Sequence, residues 1–216
     1  MKHYYLIVDT ETTKNRTVAD FGAVLCDKQG RAYVGCKVLV SNHFDKMELW
    51  FNPQADSDDF WSYDNLPTRR TYYREMMENG QRSLASIHYI NNWLNKIAGT
   101  YDPILTAYNL PFDRGACRNT GIDLSVFSDD FCLYKAARRH WKNVPQYAEW
   151  ALRKGYVTAT GNAQYSADSI SHWILGENVP PEPHTAFEDA HEYERPILKS
   201  MLKRYNRKSL LELVDA

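Results

Sequence analysis

The segment from Tyr4 to Thr13, Tyr-Tyr-Leu-Ile-Val-Asp-Thr-Glu-Thr-Thr, constrains this chain more than any other. It opens as an unbroken apolar run, which is what a strand buried on both faces requires. It closes on two carboxylates, Asp9 and Glu11, two residues apart. Side chains in a strand repeat direction every second residue, so the two point to the same side. Like charges held side by side at a strand end repel each other. The usual compensation is a hard divalent cation that takes oxygen ligands, such as Mg²⁺ or Mn²⁺. Asp-x-Glu is therefore half of a metal site. By itself it is also what a strand running into a solvated turn would show, so the decision rests on what lies downstream.

The totals narrow the alternatives. A chain of 216 residues, 44% hydrophobic and 25% charged, has an ordinary globular composition and can bury a sizeable core. No apolar run approaches a membrane span, and Met1-Lys2-His3 leads straight into the first strand, so neither a membrane segment nor a secretory signal is expected. Cys26, Cys36, Cys117 and Cys132 contain no Cys-x-x-Cys pair, which argues against a zinc cage and suits the reducing cytoplasm. A formal net charge of -1 gives no overall attraction to nucleic acid, so any such binding must come from a local basic patch or bridging metal ions.

The remaining chain reads as alternating strands and helices within one domain, 1–216. Strands over 19–26 and 31–40, joined by the turn Asp27-Lys28-Gln29-Gly30, follow the first and make an antiparallel start. An irregular, aromatic-rich insert occupies about 41–80. It includes a helix over 68–78 that carries Arg69, Arg70 and Arg74 beside Tyr72 and Tyr73. Its aromatics are expected mainly to pack on the sheet, with base stacking and arginine–phosphate contacts as the sharper alternative. Ser83 reads as the cap of a helix whose stripe is Leu84, Ile87, Ile90, Trp93, Leu94 and Ile97. A fourth strand over 103–107 follows as a parallel neighbour, and Pro111 then opens a helix with Asp113 in its first turn. A fifth strand within 127–133 precedes helices over 136–141, 146–154 and 166–175, with a polar loop or small hairpin at 156–165. The prolines of 179–183 hold the chain extended up to His184. Asp189 lies on the helix that follows, and Pro196 should kink or restart that helix. Residues five apart diverge by roughly 140° on an α-helix, so His184 and Asp189 converge best with His184 in the loop. Lys199, Lys203, Arg204, Arg207 and Lys208 read as a basic solvated face.

Three short motifs now stand in order: Asp9-Thr10-Glu11-Thr12, Ala107-Tyr108-Asn109-Leu110-Pro111-Phe112-Asp113, and His184-Thr185-Ala186-Phe187-Glu188-Asp189-Ala190. In these the chain resembles the DEDDh 3'-5' exonucleases, the family of bacterial proofreading subunits, RNase T and oligoribonuclease. The resemblance implies an RNase H-like α/β core, a mixed five-stranded sheet with helices on both faces. It also implies two Mg²⁺ or Mn²⁺ ions held by Asp9, Glu11, Asp113 and Asp189. Asp9 and Asp189 are expected on the more tightly held ion, Glu11 and Asp113 complete the set, and His184 serves as general base. Thr10, Thr12 and Asn109 are expected at the 3'-terminal nucleotide. Residue chemistry agrees: two divalent ions about 3.5–4 Å apart clamp a phosphodiester during displacement. An imidazole of ordinary pKa about 6.5 can take a proton from water near neutral pH.

The implied activity is metal-dependent hydrolysis of single-stranded or frayed 3' ends to 5'-mononucleotides, with DNA favoured over RNA. An exoribonuclease of the RNase T or oligoribonuclease type remains open. So does a proofreading-like subunit whose main task is docking on a polymerase or another replication or repair partner, and so does a small-nucleotide phosphatase. The sequence is silent on oligomeric state.

Overall fold

In a computed structural model, residues 4–176 and 178–215 are described. The lead-in Met1 to His3 lies outside them, as does the Arg207 side chain of the basic C-terminal face.

The apolar run forms β1 (Tyr4–Thr12), and the sheet is built outward from it. On one side it pairs antiparallel with β2 (Val18–Asp27), which pairs antiparallel with β3 (Ala32–Val40). On the other it pairs parallel with β5 (Ile104–Ala107), which pairs parallel with β6 (Asp130–Cys132). The sheet has six strands, not the expected five. The additional one is β4 (Ser83–Ala85), parallel to β3, giving the order β4-β3-β2-β1-β5-β6. Three residues are too few for alternation to show, and Leu84 matched the helical stripe by spacing alone. In place it is an exposed edge residue, 48% accessible. The cap expected at Ser83 is supplied by Ser86, whose side chain accepts from the Tyr89 N–H ahead of α2 (Ile87–Tyr101).

Alternate side chains of β1 enter different layers, as the pleat requires. Leu6 and Val8 pack with Ile90 and Leu94 of α2 and with Ala116 and Cys117 of α3 (Leu110–Thr120). Tyr5 and Ile7 pack on the opposite face, against α4 (Leu133–Lys142), α5 (Pro145–Lys154), α6 (Ala167–Leu175) and the helical run after residue 185. Fully burying each such side chain contributes about 1.5–3 kcal/mol. The insert has its own small core, in which Phe44 and Leu49 pack on Leu66, Tyr73 and Met76 of α1 (Leu66–Glu78), closed against Ala19 and Leu39 of the sheet. Among the described residues no helix is long and apolar enough to cross a membrane.

The third motif opens a helical run in three parts. A single turn, α7 (Ala186–Glu188), passes into a π-helical segment, Asp189–Glu194, and then into α8 (Arg195–Leu202). Pro196 sits at the start of α8, where its missing N–H fits, so the restart falls at the expected place. A final helix, α9 (Arg207–Asp215), ends the described chain and buries Leu210.

Candidate metal centre

The parallel strands β1 and β5 bring their carboxyl ends to one side, where open sheets of this kind gather ligands. Asp9 and Glu11 stand on the last turns of the pleat in β1. Asp113 lies in the first turn of α3, 3% exposed, and the Thr10 hydroxyl donates to its Oδ1 at 2.9 Å. Thr10 thus ties the first motif to the second from beneath. Thr10 and Thr12, expected at the substrate, are both buried, at 4% and 6% exposure, whereas Asn109 is exposed at the head of α3.

The third motif is pinned down by groups that the sequence reading did not single out. The Ala186 N–H donates to Asp20 Oδ2 at 3.0 Å. Gly22 lets that backbone lie on β2, for a Cβ there would sit 2.1 Å from the Ala186 carbonyl carbon. Asp20 accepts from Arg82 Nε at 3.1 Å, and Arg82 also pairs with Glu188, which accepts from the Thr185 hydroxyl at 2.7 Å. His184 follows the prolines as expected, with a left-handed backbone at φ 54°, a conformation that costs a non-glycine residue energy and that the pinned flanks impose.

These constraints bring the third motif over the first. Among the described residues, ligand atoms of Glu11, His184 and Asp189 all lie within 4.8 Å of one another. Within this trio it is Glu11, one pleat further along than Asp9, that meets the His184 loop and Asp189. Burial pushes Asp9 well above the usual carboxylate range, and the charges of Glu194, Asp113, Asp189 and Glu11 push it further. Burial likewise raises Asp189, assisted by Glu182, Glu11 and Glu194. It raises Glu11 against the offsetting charge of Arg69, and lifts Asp113 to about 7 against its hydrogen bonds with Thr10.

Two further acids belong here and were missed. Glu194 is 1% exposed and raised by burial and then by Asp113 and Glu182. Glu182 is raised to about 7 by burial and Asp168. Glu182 lies in the proline stretch, where nothing in the sequence marked it. Glu194 lies five residues after Asp189, a spacing that an α-helix would have turned away.

Asp189 Oδ1 and Glu194 Oε2 are buried without a hydrogen-bond partner. Buried carboxylate oxygens without partners are costly, and a bound divalent cation would satisfy them. The donor set, oxygens of clustered carboxylates with one imidazole, fits Mg²⁺ or Mn²⁺ chemistry.

The insert walls the site. The rings of Phe60 and Trp61 lie 4.9 and 4.8 Å from the His184 ring, and Arg69 lies over both aromatics at 5.1 and 4.4 Å. These two aromatics are half-buried and pack on His184 rather than on the sheet, and of the insert's other rings Tyr73 is buried while Trp50, Tyr63 and Tyr72 are exposed. Arg69 donates to the Trp50 carbonyl at 2.7 Å, and Arg70 donates to the carbonyls of Phe44 and Met47. Both arginines therefore hold the insert together, which leaves Arg74 as the exposed member of the trio. Beside His184 a cleft of about 290 Å³ opens between Phe60, Arg69, Tyr72 and Pro183.

No protein-family model matches the chain, and no curated protein matches it.

Proposed function

We propose that the chain is a metal-dependent 3'-5' exonuclease of the DEDDh type on an RNase H-like core, acting on single-stranded or frayed 3' ends with two Mg²⁺ or Mn²⁺ ions. The observation that carries this reading is the convergence of the three motifs on one cluster of buried and half-buried carboxylates, two of whose oxygens have no partner. Asp9, Glu11, Asp113 and Asp189 would hold the ions. Bound there, the ions would supply charge to the attacking and leaving oxygens of a phosphodiester. His184 supports the reading by its protonation state, since burial lowers its pKa and keeps the imidazole neutral and able to accept a proton at neutral pH. Phe60 and Trp61 fix its ring, and Arg69 tempers the charge at Glu11. The exposed Tyr72 beside the cleft offers a face on which a base can stack. DNA is the favoured polymer.

The test is digestion of matched 5'-labelled single-stranded DNA and RNA oligomers with Mg²⁺ or Mn²⁺ and an EDTA control. The expected result is a metal-dependent ladder that shortens from the 3' end, faster on DNA. Intact oligomers under conditions where the protein binds Mn²⁺ would sink the exonuclease reading. The Glu11–His184–Asp189 convergence favours one variant of it, in which His184 is itself a ligand. His184→Ala separates the two roles. A base gives a loss of about 10²–10⁴-fold in rate with Mn²⁺ affinity retained, whereas a ligand loses Mn²⁺ affinity as well.

A further inference from the structure

We propose that Glu194 is a fifth carboxylate ligand of the metal centre, delivered to it by the π-helical turn that begins at Asp189. The inference rests on the metal-centre reading above and adds a residue outside the three motifs that carry the resemblance. A π-helix closes hydrogen bonds from i to i+5, so residues five apart come close to stacking along its axis, where an α-helix would splay them. Asp189 and Glu194 are the two ends of that segment, and both are buried, at 2% and 1% exposure. The wider turn carries Glu194 beneath Asp189 rather than around the helix.

Three observations aim Glu194 into the site. Its carboxylate lies beside the backbone N–H of Tyr108, the residue between the end of β5 and the start of α3 that presents Asp113. Its Oε2 is buried and has no partner, as a ligand atom awaiting a cation would be. After burial, Glu194 is the charge felt most strongly at Asp9, and Asp113 the one felt most strongly at Glu194. Glu194 therefore lies toward Asp9 and Asp113, while ligand atoms of Glu11, His184 and Asp189 gather within 4.8 Å of one another. A π-helical turn in mid-helix forgoes regular hydrogen bonding, and such turns recur at functional sites. Here its product is one more oxygen ligand.

The test is titration of the full chain with Mn²⁺ alone, read by calorimetry and by the paramagnetic resonance of free Mn²⁺, for the wild type, Glu194→Gln and the exposed control Glu192→Gln. Thermal melts in EDTA accompany it. Glu194→Gln keeps the shape but removes the charge. The expected result is Mn²⁺ affinity weakened by about tenfold or more at one site, with the metal-free melting temperature equal to or above that of the wild type. The control should bind as the wild type does. Should Glu194→Gln fail to fold, Glu194→Asp keeps the charge on a shorter arm and is expected to lose affinity while folded. Unchanged Mn²⁺ affinity in a folded Glu194 variant overturns the ligand role and leaves the rest of the centre standing. A wild type that takes up no Mn²⁺ overturns the centre itself, and Glu194's role with it.

Discussion

Two clusters of buried carboxylates share the end of the β1–β2 pair, and they are solved in opposite ways. Glu11 on β1 and Asp20 on β2 lie directly across from each other in the antiparallel register. Asp20 is closed by the protein itself: it accepts from Arg82 and from the Ala186 N–H, with both side chains of the ion pair fully buried. Glu188 shares the same guanidinium, and although burial opposes it, Arg82 and Thr185 hold its carboxyl below the usual range. Burial raises Asp20 too, against Arg82 and the Ala186 N–H, but its oxygens are paired. On the other side of the register, Asp9, Glu11, Asp113, Asp189 and Glu194 crowd together, likewise raised by burial, and two of their oxygens find no partner. Burial is common to both clusters, so burial does not distinguish them. The difference is the source of positive charge. One cluster carries its own buried ion pair and serves as a clamp on the backbone of the third motif; the other has only the offset of Arg69 at Glu11 and, on the proposed reading, takes a cation from outside.

Removing a carboxylate should therefore have opposite consequences on the two sides. On the proposed reading, Asp9→Asn or Asp189→Asn takes away a metal ligand worth several kcal/mol in the transition state, so the proposed exonuclease activity should fall by at least about 10³-fold. The metal-free protein should hold or gain melting temperature, because a buried repulsion is relieved. Retained turnover on labelled oligomers would remove these residues from the metal set, and a collapse of the metal-free fold would make them structural. On the clamp side, Arg82→Met leaves Asp20 buried and unpaired, which should cost about 3–5 kcal/mol. At this chain length that is a drop of roughly 6–20 °C in melting temperature. Equal stability of Arg82→Met and wild type in denaturant melts would erase the contrast between the clusters.

The sequence carried the metal side better than the clamp. Asp9, Glu11, Asp113 and His184–Asp189 were readable because each sits at the end of an element that patterning can find. The period of two locates the end of β1, Pro111 marks the opening of α3, and the prolines before His184 stop any helix from starting early. Their order along the chain did the rest. Asp20 and Arg82 are 62 residues apart and fall inside a strand and a loop, where a lone acid and a lone arginine carry no signature. Gly22 reads as any strand glycine until the backbone of Ala186 is seen against it. Glu194 was hidden by the helical arithmetic itself: at 3.6 residues per turn it points away from Asp189, and no local propensity announces a π-helical turn. The strand β4 was hidden by its length, and its pairing with β3 is a tertiary event. Arginine–phosphate contact was the sharper alternative for Arg69 and Arg70, but the insert's carbonyls use both side chains.

The finest test of the contrast is pH, without any mutation. Asp113 and Glu182, ordinarily near 3.8 and 4.5, each stand at about 7 in the folded, metal-free chain. Between those values the folded state binds protons that the unfolded state does not, so stability rises as pH falls through 7 and the gain is complete near 4. His184, held below its ordinary value of 6.5, acts in the reverse sense, resisting protonation in the fold, but it is one group against several. Each unit of displaced pKa corresponds to about 1.4 kcal/mol, or about 3–6 °C at this length. In EDTA the melting temperature should therefore be several degrees higher at about pH 5.5 than at about pH 8. Saturating Mn²⁺ should invert the trend, because the ions bind the deprotonated carboxylates and their stabilisation grows with pH. A metal-free melting temperature that climbs from pH 5.5 to 8 would mean that the open cluster already has a cation of its own within the chain. The two sides of the β1–β2 register would then be two versions of one clamp.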